Sequence, residues 1–97
     1  MILGVYSVFD IKANAFMPPF YMHNNAIAIR AFTDSVKGKE HAFALNPEDY
    51  TLFKLGTWDD NQGEFVNESE ALITAEQTLK RPQQVDFINN VQEVVAS

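Results

Sequence analysis

Residues 2–9 are apolar at odd as well as even positions. Because side chains alternate between the two faces of an extended strand, this segment would carry Tyr6 and Val8 on one face and Val5 and Phe9 on the other. Two apolar faces are typical of a central strand, or of a strand whose second face is covered by a partner. The pattern therefore predicts that this strand lies inside a sheet.

A second, shorter strand is predicted over residues 15–20, after the polar residues 10–14 have turned the chain. Pro18 and Pro19 interrupt it. Because proline has no N–H to donate to a ladder, this strand is expected to lie at the edge of the sheet or to end at the prolines.

Residues 46–63 contain a turn, a strand and a hairpin loop in succession. Pro47 fixes its own φ and starts the turn. Residues 50–58 are rich in aromatic and other β-compatible side chains. Residues 59–63 then supply turn formers, and Gly63 is free to take a positive φ.

Alternation along this strand predicts that Phe53 and Leu55 share one face, while Lys54 and Trp58 lie on the other with Leu52. Residues 64–66 are the predicted returning arm of the hairpin.

The main helix is predicted after the N-cap candidates Asn24 and Asn25. Gly38 is expected to end it in a left-handed conformation. Apolar residues recur at helical spacing and form one stripe, which consists of Ala28, Ile29, Phe32 and Val36.

The C-terminal third is less regular. Residues 71–74 fit the end of a strand, and residues 75–79 fit a short helical turn. Pro82 starts a final predicted helix at about residues 82–96. Its apolar stripe consists of Val85, Ile88, Val91 and Val95.

These elements predict a single α+β domain over residues 1–97, with a mixed or antiparallel sheet of three to four strands. The helix Asn25–Val36 is expected to cover the sheet, and the C-terminal helix to complete the fold. The two apolar faces of the first strand and the wide stripe of the last helix predict a homodimer or a higher oligomer.

The composition excludes several classes of protein. The chain of 97 residues is 46% hydrophobic and 12% aromatic, which argues against intrinsic disorder. It has no cysteine, so disulfides and thiolate metal sites are excluded. The apolar N-terminus lacks a basic segment, and no run approaches the ~18 apolar residues of a membrane helix. We therefore expect a protein that is neither exported nor bound to a membrane.

Catalytic and metal-binding patterns are absent from the sequence. His23 and His41 do not have a common metal-ligand spacing. Residues 59–64 lack the alternating acids of a calcium loop and fit a solvated turn. There is no cysteine nucleophile, nucleophile elbow or phosphate-cradling glycine loop. We expect no enzyme activity, no cofactor and no metal.

The net charge of the chain disfavours nucleic-acid binding, whereas one local pattern favours it. The formal net charge is −6 and the pI is about 4.6, which disfavours non-specific binding of phosphates. Binders of single strands pair a basic groove with aromatic stacking platforms. Bases and aromatic residues interleave early in this chain, and the candidate nucleic-acid-binding residues are Lys12, Phe16, Phe20, Tyr21, Arg30, Lys37 and Lys39. The alternative is that these aromatic residues pack against the helix and that the bases are ordinary surface.

Three segments of the chain, MILGVYSVFDIKANAFMPPFY, NNAIAIRAFTDSV and NPEDYTLFKLGTWDDNQGE, resemble the small non-structural protein of gokushoviruses. These viruses are single-stranded-DNA microviruses of bacteria. The most specific matching parts are residues 18–20, 28–32 and 47–54, so the family-like core covers residues 1–66. Residues 67–97 carry no matching motif and form a variable segment.

The resemblance implies a non-structural protein, described in some members as DNA-binding, that acts around the switch from duplex replication to single-stranded genome synthesis. It implies no enzymatic activity and carries over no site residues.

Two functional hypotheses follow. In the first, the protein is a phage accessory protein in the host bacterial cytoplasm that contacts single-stranded DNA through the candidate residues. In the second, it is an interaction module whose acidic surface engages a basic viral or host replication protein. Bases gathered on one exposed face would favour the first, and buried aromatic residues with dispersed bases would favour the second.

Overall fold

The computed structural model describes residues 1–38 and 42–80. Within them, five strands form one antiparallel sheet. The strands are β1 (Ile2–Asp10), β2 (Ala15–Phe16), β3 (Phe20–Met22), β4 (Tyr50–Asp59) and β5 (Glu64–Thr74). The helices are α1 (Asn25–Val36), α2 (Ala42–Leu45) and α3 (Ala75–Lys80), and a single 3-10 turn, Pro47–Asp49, precedes β4.

The sheet is four strands wide because β2 and β3 share one edge. Both pair with β1, whose other side pairs with β4, and β5 forms the opposite edge. Pro18 and Pro19 separate β2 from β3, although the Met17 N–H still donates to the carbonyl oxygen of Val8 at 2.9 Å. The prediction of an edge strand interrupted by prolines is confirmed, as is the central position of β1.

A bulge in β4 alters the alternation of its side chains. Val5 and Tyr6 are consecutive in β1, whereas their partners Gly56 and Lys54 are separated by Leu55. Leu55 is therefore an extra residue opposite β1, and such a bulge bends the strand and increases its twist.

The bulge also decides where Trp58 lies. Trp58 pairs with Leu3, and Phe53 pairs with Ser7. Since Leu3 and Ser7 are an even number of residues apart in β1, Trp58 and Phe53 lie on the same face of the sheet. The prediction of opposite faces is wrong, because one inserted residue reverses the alternation beyond it.

Helix α1 begins at a well-formed cap. The Asn24 side-chain oxygen accepts a hydrogen bond from the Ile27 N–H at 2.9 Å, as an N-cap residue does. The predicted stripe is confirmed as the inward face. The helix ends at Val36 as expected, but the expected left-handed cap is wrong, because Lys37 is a right-handed C-cap with φ −77° and Gly38 is not among the residues of positive φ.

The hydrophobic core lies between the sheet and the helices. Its buried members are Tyr6, Val8, Ala28, Phe32, Val36, Phe43, Leu52, Ile73 and Ala75. Helix α3 starts with a reciprocal cap, in which the Thr74 N–H donates to the Gln77 side chain and the Gln77 N–H donates to the Thr74 hydroxyl.

The predicted α+β class and the helix Asn25–Val36 over the sheet are confirmed. Of the two sheet types expected, the antiparallel one is present, with five strands instead of three to four. The strand after the hairpin is longer than expected, since β5 continues through residues 67–70 as far as Thr74. The helix predicted at about residues 82–96 lies outside the described residues.

Candidate functional site

All three described helices pack on one side of the sheet, around the core residues Tyr6, Val8 and Leu52. In residues 1–38 and 42–80, no helix covers the other side. We call that side the aromatic face. By strand register it comprises Leu3, Val5, Phe9, Phe16, Tyr21, Phe53, Trp58 and Phe65.

Three phenylalanines form a cluster at one end of the aromatic face. The ring centroids of Phe9 and Phe16 are 4.9 Å apart, and those of Phe16 and Phe53 are 5.3 Å apart. Both contacts are edge-on, a geometry that aromatic pairs prefer. Phe16 nevertheless keeps 45% of its surface exposed, so the cluster offers a ring to a ligand.

The other end of the aromatic face is built by the β4–β5 hairpin. The rings of Trp58 and Phe65 lie 4.6 Å apart, and Phe65 is 58% exposed. Tyr21, on β3, is also exposed. A depression of about 210 Å³ runs between Tyr21 and Phe65 and has Val5 and Leu55 in its lining. A flat group inserted there would contact rings at either side.

The structure divides the aromatic candidates from the sequence between the two sides of the sheet. Phe16 and Tyr21 lie on the aromatic face. Phe20 pairs with Tyr6, stacks on its ring at a centroid distance of 5.9 Å, and packs against the core. Phe20 is therefore a packing residue in this fold.

The basic candidates are dispersed. Arg30 and Lys37 are exposed on the outer side of α1, where they border a shallow depression together with Asp34. Lys12 is exposed in the turn between β1 and β2, with its N–H bonded to an Asp10 side-chain oxygen at 3.0 Å. Lys39 lies outside the described residues. The structure does not bring these bases together on one face.

The side of the sheet that carries the helices contains an apolar cavity of about 290 Å³ between the β2–β3 edge and α1. It is lined by residues such as Met17, Phe20, Phe32 and Phe43. Elsewhere on this side, the Tyr6 hydroxyl donates to the Asn25 side-chain oxygen at 2.7 Å, and burial raises the pKa of Tyr6. The one hydroxyl side chain in the cavity lining, that of Ser35, donates to the Ala31 carbonyl oxygen at 3.1 Å.

Among the residues that the structure describes, no three His, Asp or Glu side chains are grouped so that they could hold a metal ion. No helix in the same part of the chain has the length and apolar character to cross a membrane.

A model of the phage ORF5 protein family matches residues 3–78. The chain belongs to the phage ORF5 protein family. The matched residues include every member of the aromatic face, so this surface is part of the family domain. The phage origin expected from the resemblance is confirmed, and the narrower assignment to gokushoviruses stays a prediction. Comparison with curated proteins finds no match to the chain. Comparison with solved structures finds none either.

The nucleic-acid candidates from the sequence do not include the other four aromatic members of this face, namely Phe9, Phe53, Trp58 and Phe65. Alternation places Phe9 with Val5 and Phe53 with Leu55, and it wrongly places Trp58 on the opposite face from Phe53. The available signal was Gly56, since an isolated glycine inside a strand pattern suggests a bulge.

Proposed function

We propose that this member of the phage ORF5 family is a non-enzymatic accessory protein of viral DNA replication that binds single-stranded DNA on its aromatic face. The observation that carries the proposal is the exposure of Phe16, Tyr21 and Phe65 on a side of the sheet that no described helix covers. Stacking of a base on an aromatic side chain contributes about 1–3 kcal/mol and tolerates any base sequence. The proposed place of action is the host bacterial cytoplasm.

The arrangement resembles, in physical terms, other sheets that bind single strands, where aromatic residues on an open sheet face stack successive bases. In this chain the candidate stacking residues come from β2, β3 and β5, so they are spread across the whole width of the sheet. An extended strand of DNA laid across the β-strands would meet Phe65, Tyr21 and Phe16 on separate strands.

The charge distribution determines what kind of binding is expected. The chain carries a net charge of −6, and Lys54 pairs with Tyr6 and so belongs to the side of the sheet that faces the helices. Lys12, in the turn beside the Phe9–Phe16 pair, is the base best placed to reach a phosphate. We therefore expect binding dominated by stacking, with a shallow salt dependence of about one neutralised phosphate.

The test is fluorescence anisotropy with labelled single-stranded and duplex DNA over a series of salt concentrations. Phe16→Ala should weaken single-strand binding by roughly 5- to 150-fold, the equivalent of one lost stacking contact. Leu45→Ala is the matched control, because Leu45 is an exposed apolar residue of α2, away from the aromatic face. Lys12→Ala should reduce the salt slope by about 0.7.

Absence of single-strand binding at low salt would rule out the DNA proposal. Equal affinity for duplex DNA, or an equal loss in Leu45→Ala, would contradict the aromatic face as the site.

A second candidate is an acidic interaction module for a basic viral or host replication protein. The dispersal of Lys12, Arg30 and Lys37 supports it, as does the excess of acids over bases in the chain. The homodimer or higher oligomer expected from the sequence stays a prediction, and sedimentation of the full chain measures it.

A further inference from the structure

Strand β5 is the longest strand among the described residues and forms one edge of the sheet. In the same part of the chain, no strand pairs with its outer side. Residues 64–71 are all exposed. An edge of this kind presents a row of unpaired N–H and C=O groups, which is a template for the addition of another strand.

The edge is most regular next to the hairpin loop. Residues 64–67 pair with residues 56–59 without a shift in register, and the first bulge of β5 comes only beyond Asn67. A segment of about four residues can therefore form a regular ladder there. The opposite edge of the sheet offers no such template, because Pro18 and Pro19 break it into two short strands.

The side chains of β5 define the chemistry of the partner. The strand contains Glu64, Glu68 and Glu70 and no basic residue. Glu64 pairs with Asp59, and Glu70 with Lys54, so both glutamates belong to the side of the sheet that carries the helices. Phe65 points to the other side, where it belongs to the aromatic face.

Pairing of β5 with a second copy of the chain over residues 64–70 is disfavoured. An antiparallel β5–β5 pair centred on Asn67 would place Glu64 of each copy opposite Glu70 of the other. Like charges that face each other across a ladder are destabilising. Nucleic acid does not fit the helix-carrying side of this edge either, since Glu64 and Glu70 there repel phosphates.

We propose that the outer edge of β5 binds an extended, basic segment of a partner protein by strand addition. The preferred segment alternates Lys or Arg with apolar residues. Its basic side chains would lie beside Glu64 and Glu70, and its apolar side chains beside Phe65. This edge gives the second candidate function, the acidic interaction module, a site and a partner chemistry, and the site does not depend on DNA binding.

The experiment titrates the full chain with a peptide in which lysine and valine alternate over about nine residues. One control peptide has the same composition in scrambled order, and another has glutamate in place of lysine. We expect saturable binding of the alternating peptide alone. Amide chemical shifts should change along residues 64–67, and hydrogen exchange should slow at every second amide there, because only alternate N–H groups of an edge strand face an added strand.

Two double variants separate this site from general charge attraction. Glu64→Lys with Glu70→Lys should weaken binding of the alternating peptide by about tenfold or more. Asp34→Lys with Glu48→Lys changes the net charge equally at exposed positions away from β5, and it should have little effect.

Three results would overturn the inference: equal binding of the scrambled peptide, an equal loss in the two double variants, or shift changes that cluster away from β5. If any of these occurred while basic proteins were still retained by the acidic surface, the second candidate function would survive without this site. A loss of DNA binding in Phe16→Ala would bear on the aromatic face alone.

Discussion

The two faces of the sheet are both apolar, yet they are used in different ways. On the face that carries the helices, Tyr6 and Leu52 have 0% of their surface exposed and Phe32 of α1 packs over them with 3%. On the aromatic face, Phe16 and Phe65 remain about half exposed or more. The same type of side chain stabilises the fold on one face and is available to a ligand on the other.

The aromatic face is not uniformly open. Ser7 is fully buried near its centre, where its hydroxyl donates to the carbonyl oxygen of Met17. Val5 is buried beside it. The chain around the prolines therefore shields the middle of β1, and exposure is confined to the margins of the face. A ligand of this surface would contact the marginal rings and the depression between Tyr21 and Phe65, and it would leave the buried Ser7 undisturbed.

The largest expected effect comes from a comparison of one phenylalanine on each face. Phe32→Ala should lower the free energy of unfolding by about 3–5 kcal/mol, because a fully packed ring leaves a cavity that the core fills only in part. Phe16→Ala should cost less than about 1.5 kcal/mol, because much of that ring is already in water. Urea denaturation of both variants and the wild type measures the difference.

Equal losses in the two variants would show that the aromatic face is buried in solution, for example in a homo-oligomer. The urea midpoint at several protein concentrations tests that case, since the stability of an oligomer depends on concentration.

The second prediction concerns Gly56, which follows the bulge residue Leu55 in β4. Gly56 has φ +156°, and a Cβ at this position would lie 2.0 Å from the carbonyl oxygen of Val66. Gly56→Ala should therefore destabilise the fold by about 1–3 kcal/mol and disturb the Trp58–Phe65 pair. Urea denaturation and the fluorescence of Trp58 measure the two effects.

Gly63→Ala provides the comparison, because Gly63 also has a positive φ of +63° but lies in open surroundings, with only the Trp58 ring at 4.0 Å. It should cost less than Gly56→Ala. A reversed order would contradict the steric conflict at Gly56, because both its φ and its contact with Val66 disfavour a side chain there more than at Gly63.

Much of the helix-covered face could be predicted from sequence. The stripe of Ala28, Phe32 and Val36 has helical spacing, the Asn24 cap precedes it, and no insertion disturbs the alternation of β1. Local patterns of this kind survive because each residue is buried in the place where its own periodicity puts it.

The aromatic face was harder to predict, for two physical reasons. The bulge at Leu55 is a property of strand pairing, so alternation read along β4 alone assigns Trp58 to the wrong side. Residues 67–70, NESE, have no strand pattern of their own, and their place in β5 depends on the pairing of Asn67 and Glu70 with β4. The dispersal of the bases is likewise a result of topology, because it depends on which side of the sheet α1 covers.

The smallest expected effect concerns the Tyr6 hydroxyl, and it shows how completely the helix-covered face excludes water. Burial raises the pKa of Tyr6, so the folded chain holds the phenolic proton more tightly than the unfolded chain does. The stability associated with this proton is complete below pH ~10 and is lost as the pH rises through the folded pKa.

Tyr6→Phe should cost about 0.5–1.5 kcal/mol near neutral pH, through the lost hydrogen bond to Asn25, and should make the alkaline loss of stability shallower. Some alkaline loss should remain, because the pKa of Tyr50 is also raised, by desolvation and then by Asp10 and Asp49. Denaturation curves of wild type and variant at neutral and alkaline pH measure the difference. Parallel pH profiles would mean that water reaches the Tyr6 hydroxyl, and that the two faces of the sheet differ less than their packing indicates.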